Sequence, residues 1–336
     1  MVTKRSCVAF RSMEIDASRT GGHKGGAMRH LLILAALIVP TLVPLNGQGK
    51  AQRRQPIIDM HMHVYAADER WTLRIPNPVN NQPMNATDEQ AHMKATMAQM
   101  DRYNVVKAMI SGNETDYDAQ LRWKENAPER FVVCYGFDNP AKADVEFIRK
   151  EAQAGRLQGI GEIGPQYEGI APNDAVLEPF YALAEELDLP LAIHIGPGPP
   201  GAAYIGAPKY RMALSDPLLL EEVLVRHPKL RLYVMHAGWP MIDQMIGLLY
   251  AHPQVYVDVG VINWTQPRKE FHAYLRRLVE AGYGKRIMFG SDQMVWPDAI
   301  GMAVEAIESA DFLTREQKAD IFYNNAARFL RLPDGR

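Results

Sequence analysis

The sequence predicts an α/β chain folded as a (β/α)8 barrel, and three observations carry that expectation. From residue 56 onward, short β-branched runs alternate with longer amphipathic ones, as in βα units around a parallel sheet. The short runs number eight, the count for a closed barrel. Several of them end on a histidine or a carboxylate, at the face where barrel enzymes place their sites.

The strand candidates, in order, are 57–62, 105–111, 131–136, 159–163, 190–195, 230–235, 255–259 and 286–290. Helical patterns lie between them near 88–103, 117–126, 142–154, 174–188, 216–227, 241–252, 268–281 and 298–309. A last helix over 314–330 opens with Thr314 and Gln317 spaced for a capping box. His227-Pro228 and His252-Pro253 read as helix stops, since proline cannot continue a helix and histidine suits its negative end. His92 and His272 fall in surface helices and are left out of the chemistry. Two connections are long, 65–87 and 196–211, and both follow strands, so both are expected to wall a pocket.

The first fifty residues stand apart. Met28-Arg29-His30 precedes an apolar run from Leu31 to Val39, and the small residues Gly49 and Ala51 lie two apart. This reads as a secretory signal over 28–51, with residues 1–27 a misassigned start and the catalytic domain spanning 52–336. The apolar run falls short of the roughly 20 residues a stable span needs. A periplasmic or secreted protein is therefore expected, with a retained membrane anchor as the runner-up. Export agrees with the cysteines: of two, only Cys134 would survive cleavage, in an apolar run that suggests a buried thiol. A formal net charge of −2 gives no reason to expect nucleic acid or an anionic membrane as partner.

The chemistry starts at Asp59-Met60-His61-Met62-His63. Side chains alternate across a strand, so His61 and His63 share a side. Two converging imidazoles suit a borderline-soft divalent metal such as zinc. A lone His-x-His recurs by chance, but here Glu162, His194, His236 and Asp292 each end or follow a later strand. Buried imidazoles and carboxylates are costly unless something neutralises them, so their convergence on one rim points to a cation.

In combination, His61-x-His63, His194, His236 in His-Ala-Gly and Asp292 in Phe-Gly-Ser-Asp resemble the amidohydrolase superfamily. The resemblance is to the amidohydrolase-related branch that includes aminocarboxymuconate semialdehyde decarboxylase, and Asn324-Asn-Ala-Ala-Arg328 resembles its closing helix. It implies a TIM barrel of the metal-dependent hydrolase type, with His61, His63, His194 and Asp292 as metal ligands. Asp292 would also shuttle protons, while His236 would polarise substrate or complete a second site. Zinc is the first expectation, with manganese, iron and cobalt compatible. Glu162 departs from the single-metal members. In related two-metal hydrolases a glutamate in a similar Gly-Glu-Ile-Gly setting bridges two ions, with His61, His63 and Asp292 on one and His194 and His236 on the other. That departure favours hydrolysis.

Pocket residues follow from position. Trp239 and Trp296 come soon after His236 and Asp292 and are expected to wall the pocket. Tyr204, Tyr210 and Arg211 lie on the loop after strand five, where Arg211 would hold a substrate carboxylate. Asn113, Gln166 and Gln293 are similarly placed. The expected function is hydrolysis of a small organic substrate at an amide or lactone bond by metal-activated water, with Asp292 shuttling the proton. Non-oxidative decarboxylation of an aromatic or unsaturated acid is the alternative, and a binding protein on a degenerate barrel is the third reading. The resemblance leaves a homodimer open.

Overall fold

The computed structural model describes residues 54–333; the leader and signal inferred above fall outside them. Eight strands, β1 (Ile57–His63), β2 (Val105–Ser111), β3 (Phe131–Phe137), β4 (Gly159–Ile163), β5 (Leu191–His194), β6 (Leu232–Met235), β7 (Tyr256–Asp258) and β8 (Ile287–Met288), pair in sequence order. Every adjacent pair from β1 to β8 is parallel. Met60 N donates to Phe289 O at 2.9 Å and Asp292 N to His61 O at 2.6 Å, which joins the last strand to the first. This is the (β/α)8 TIM barrel the alternation predicts.

Helices α1 (Glu89–Tyr103), α2 (Tyr117–Asn126), α3 (Val145–Gln153), α4 (Glu178–Glu186), α5 (Glu221–Arg226) and α6 (Ile242–Ala251) follow the first six strands. A single turn, α7 (Ile262–Thr265), precedes α8 (Arg268–Leu278), and α9 (Ala299–Glu308), α10 (Arg315–Ala319) and α11 (Asn325–Phe329) complete the chain. Their starts obey local chemistry: Asp88 accepts from Ala91 N, Asp144 from Glu146 N, and Thr314 with Gln317 forms the expected capping box. His227 and His252 are the C-caps of α5 and α6, as their prolines predict. Among the described residues, no helix is long and apolar enough to cross a membrane.

The main core lies between strands and helices, and a smaller cluster joins Ile58, Met60, Cys134 and Tyr233 to Ala326 and Phe329. Asn325 Nδ2 donates to Ile287 O at the start of β8 and to Gly284 O in the turn before it, and Arg231, just before β6, donates to Phe329 O. The last helix therefore covers the N-terminal end of the barrel. Cys134 is a buried free thiol whose pKa burial pushes above the usual range.

His92 corrects one expectation. Its helix is peripheral, but the ring is fully buried against Trp71 and Trp123 and lies 2.9 Å from Met294 O. Burial lowers its pKa to about 3, so it is neutral and packs as part of the wall behind the 65–87 connection. A single polar position on an otherwise mixed helix face gave no sign of this.

Candidate metal centre

At the C-terminal end of the strands the six residues singled out above come together. His61 and His63 lie near and at the end of β1 with ring centroids 5.3 Å apart, so the alternation argument holds for them. Glu162 is on β4, His194 ends β5, and His236 directly follows β6. Asp292 follows β8 by a short turn.

The two oxygens of Glu162 divide the donors into two sets. Oε2 is 3.5 Å from His61 Nε2 and 3.2 Å from His63 Nε2, while Asp292 Oδ1 is 3.7 and 3.1 Å from the same nitrogens. Oε1 is 2.5 Å from His194 Nδ1 and 3.8 Å from His236 Nε2, and those two nitrogens are 3.2 Å apart. Donors bonded to one ion at about 2.1 Å stand about 3.0–3.4 Å from each other. Most of these separations are close to that range.

The unsatisfied atoms make the same point. His61 Nε2 and Asp292 Oδ1 are buried without a hydrogen-bond partner. Such orphans call for an explanation; His61, His63 and Glu162 bring ligand atoms close enough together to share a cation, which would supply one.

Electrostatics agree. Burial opposes the charged form of His63, but hydrogen bonds to Asp292 and Glu162 outweigh it and raise the ring to about 10. His61 is also raised despite burial, chiefly by Asp292 and Asp258. Burial works against charge on Asp292 as well, yet His61 and His63 bring it down to about 2, and the surrounding imidazoles hold Glu162 well below its usual range. Protons on His61 and His63 thus balance the carboxylates, while burial and His236 lower His194; a bound ion would displace those protons.

The positioning residues were less visible. Asp258, at the end of β7, places Oδ2 3.2 Å from His61 Nδ1 and accepts from Gly260 N through Oδ1. A proton held on Nδ1 leaves the Nε2 lone pair facing Glu162 and Asp292. His236 is oriented in the same way by Gly260 O, 3.0 Å from its Nδ1. Asp59 accepts from His61 N and Ser291 N, tying β1 to the turn that carries Asp292, and burial pushes it up to about 7. Sequence reasoning missed Asp258 although Tyr256-Val257-Asp258 repeats the signal used elsewhere, an acid closing an apolar run.

The backbone here is tightly specified. A Cβ on Gly290 would stand 2.8 Å from His61 Cβ, which explains the glycine of Phe-Gly-Ser-Asp. His236 and Asp292 adopt φ of 59° and 46°, the left-handed region that non-glycine residues avoid and that collects at functional sites.

A cavity of about 880 Å³ opens over the cluster. Both long connections contribute to its wall, through Pro78 and Val79 and through Pro197–Pro200, and Trp239, Trp296 and Asn113 line it. Other sequence candidates lie elsewhere. Tyr204 is 92 % exposed and is not among the lining residues. Arg211 is exposed, with Nη1 donating to the carbonyls of Pro208 and Tyr210, so its guanidinium serves its own loop. Tyr210 is likewise structural, its hydroxyl accepting from Gly198 N. Gln166 is buried and accepts from Ser215, and Gln293 exchanges two hydrogen bonds with the His63 main chain. Asp138 and Tyr167, which line the cavity, were not singled out from sequence.

Comparison with known proteins places this geometry. A family profile described as "Amidohydrolase" matches residues 58–332. Protein fluG of Emericella nidulans is 21 % identical over 224 residues, 60 % of this chain, and the chain spans about a quarter of that relative's length. An uncharacterized TIM-barrel protein from Bordetella bronchiseptica superposes with a TM-score of 0.62 at 16 % identity, covering 82 % of this chain and 98 % of its own. A manganese-complexed 5-carboxyvanillate decarboxylase from Novosphingobium aromaticivorans gives 0.58 at 15 %, covering 83 % and 96 %. A probable 2-pyrone-4,6-dicarboxylic acid hydrolase from Acinetobacter baumannii gives 0.56 at 14 %, covering 82 % and 99 %.

Proposed function

We propose that this chain, which belongs to the amidohydrolase family, is a metal-dependent hydrolase that cleaves an ester, lactone or amide bond in a small organic substrate. The observation that carries the reading is the divided Glu162 carboxylate, with His61 and His63 beside one oxygen, Asp292 facing the same two imidazoles, and His194 and His236 beside the other oxygen. These residues would hold two divalent ions, with zinc the first expectation and manganese, iron or cobalt accepted by the same donors. Ions held there supply Lewis acidity and readily ionised water near neutral pH.

The chain's own residues do the rest. Asp292 is buried to within 5 % of full enclosure, faces both histidine sets and holds no proton at neutral pH, so its carboxylate can take one from water and return it to the leaving group. Asp258 and Gly260 O fix the imidazole tautomers, which keeps His61 Nε2 and His236 Nε2 as lone-pair donors. Trp239 and Trp296 narrow the cavity and limit water around the scissile bond.

Decarboxylation is the second reading, supported by the likeness to a manganese-complexed decarboxylase on the same barrel. Elemental analysis of protein purified without added metal, paired with assays for acid release and for CO2, separates the two. Two ions per chain with acid release from esters or lactones is the expected result. One ion per chain with CO2 from an aromatic acid would replace hydrolysis with decarboxylation.

A further inference from the structure

The cavity above the cluster carries information about charge. Its wall is aromatic, built from Tyr65, Phe137, Tyr167, Trp239 and Trp296. Among the described residues that line it, none is lysine or arginine. Outside the metal cluster, its one acidic lining group among the described residues is Asp138, which follows β3; loss of solvent and the nearby Glu162 raise its carboxyl to about 7, so it is fully ionised only above neutral pH.

Basic residues do occur on the surrounding loops, but they are committed elsewhere. Arg70 lies 4.1 Å over the Tyr65 ring with Nε donating to Asp68. Lys209 pairs with Glu168 at 3.0 Å, and Arg211 is held by two carbonyls of its own loop. A substrate carboxylate remote from the reacting bond would therefore find no counter-charge and would face Asp138 across a wall of low polarity. An unpaired charge brought into such a place loses hydration without compensation, and where Asp138 is ionised like-charge juxtaposition adds to the cost. A flat apolar ring has the opposite experience, gaining stacking and burial against the five aromatic side chains.

We propose that the substrate is uncharged away from its scissile bond and carries an aromatic or similarly flat apolar body, and that Asp138, in its ionised form, adds to the rejection of carboxylated competitors. The proposal rests on the hydrolytic reading for its reaction but not for its binding preference. It sets this site apart from a site for dicarboxylic acids, which requires fixed cations.

Matched probes test it on the metal-loaded protein at about pH 8.5, where Asp138 is ionised. Phenyl acetate and 4-carboxyphenyl acetate report turnover, and the unreactive ketones acetophenone and 4-acetylbenzoate report binding by calorimetry. The neutral member of each pair should be favoured about tenfold or more, in kcat/KM and in Kd respectively. Asp138→Asn should shrink both margins to about threefold or less, through a lower KM for the charged ester. Equal or better handling of the carboxylated probes by the native protein would overturn the substrate class. Margins unchanged in Asp138→Asn would overturn the role of Asp138. If neither ester turns over while acetophenone still binds more tightly than 4-acetylbenzoate, the hydrolytic reading fails and the cavity preference stands.

Discussion

The two ends of this barrel are built from the same strands and obey different rules. At the N-terminal end, Phe329 packs edge-on against Tyr233 at 5.5 Å and tilted against Tyr256 at 5.1 Å. The Tyr233 hydroxyl donates to Met60 O at 2.6 Å, and Asn325 donates to the carbonyls of Ile287, which opens β8, and of Gly284 in the turn before it. Polar atoms there have partners inside the protein. At the C-terminal end, buried atoms of His61 and Asp292 have none, and two of the six donor residues sit in left-handed backbone. One end pairs its polar atoms within the fold, while the other gathers imidazole and carboxylate atoms spaced as an ion's ligands would be. The contrast teaches that burial alone does not locate a candidate site, because both ends are buried; the convergence of several imidazole and carboxylate groups, some without partners, does.

If that division is real, substitutions at the two ends should fail in different currencies. Asp292→Asn keeps a coordinating oxygen but removes the proton acceptor. Turnover should fall by about 10³–10⁴-fold, with metal content and melting temperature close to native. Steady-state kinetics beside elemental analysis check this. Near-native turnover would remove Asp292 from the chemistry and weaken the claim that the C-terminal end is the reactive one.

Phe329→Ala probes the other end. Deleting a ring that fills the apolar cluster should cost about 3–5 kcal/mol of stability, read from denaturant unfolding. The fraction that remains folded should bind metal and turn over as the native protein does. A loss of metal stoichiometry in that folded fraction would show that the two ends are coupled.

How much of this was legible beforehand differs between the ends for the same reason. All eight strands lie within a few residues of where the alternation places them, because a strand buried on both faces leaves a dense β-branched run. The six donors were legible because each interrupts or closes such a run with a costly group. Residues on the 196–211 connection were not. Tyr204 and Arg211 looked like pocket residues from chain position alone, but a loop bends according to its own turns, and these two ended exposed. Asp138 shows the converse, a lining residue one position beyond an apolar strand that gave no reason to prefer it over other loop acids. The burial of His92 was hidden because it depends on a connection, 65–87, whose path no periodicity describes.

Asp258 offers the finest test, since it lies in the reactive end yet touches no proposed substrate position. Its Oδ1 accepts from Gly260 N at 2.7 Å, and its Oδ2 stands 3.2 Å from His61 Nδ1. In Asp258→Asn the amide can keep the first contact with its oxygen, which turns its NH2 toward the imidazole. A donor there favours the tautomer with the proton on Nε2, the nitrogen that faces Glu162 and Asp292. Metal affinity should then drop about 10–100-fold, the usual cost of losing a ligand's orienting carboxylate. Competition with a chelator measures it. Turnover under saturating metal should recover most of its native value, because Asp292 is untouched. A purely structural Asp258 would behave like Phe329 instead, lowering the unfolding midpoint while leaving metal affinity alone, and the rule separating the two ends of the barrel would then fail at the residue where it is most exacting.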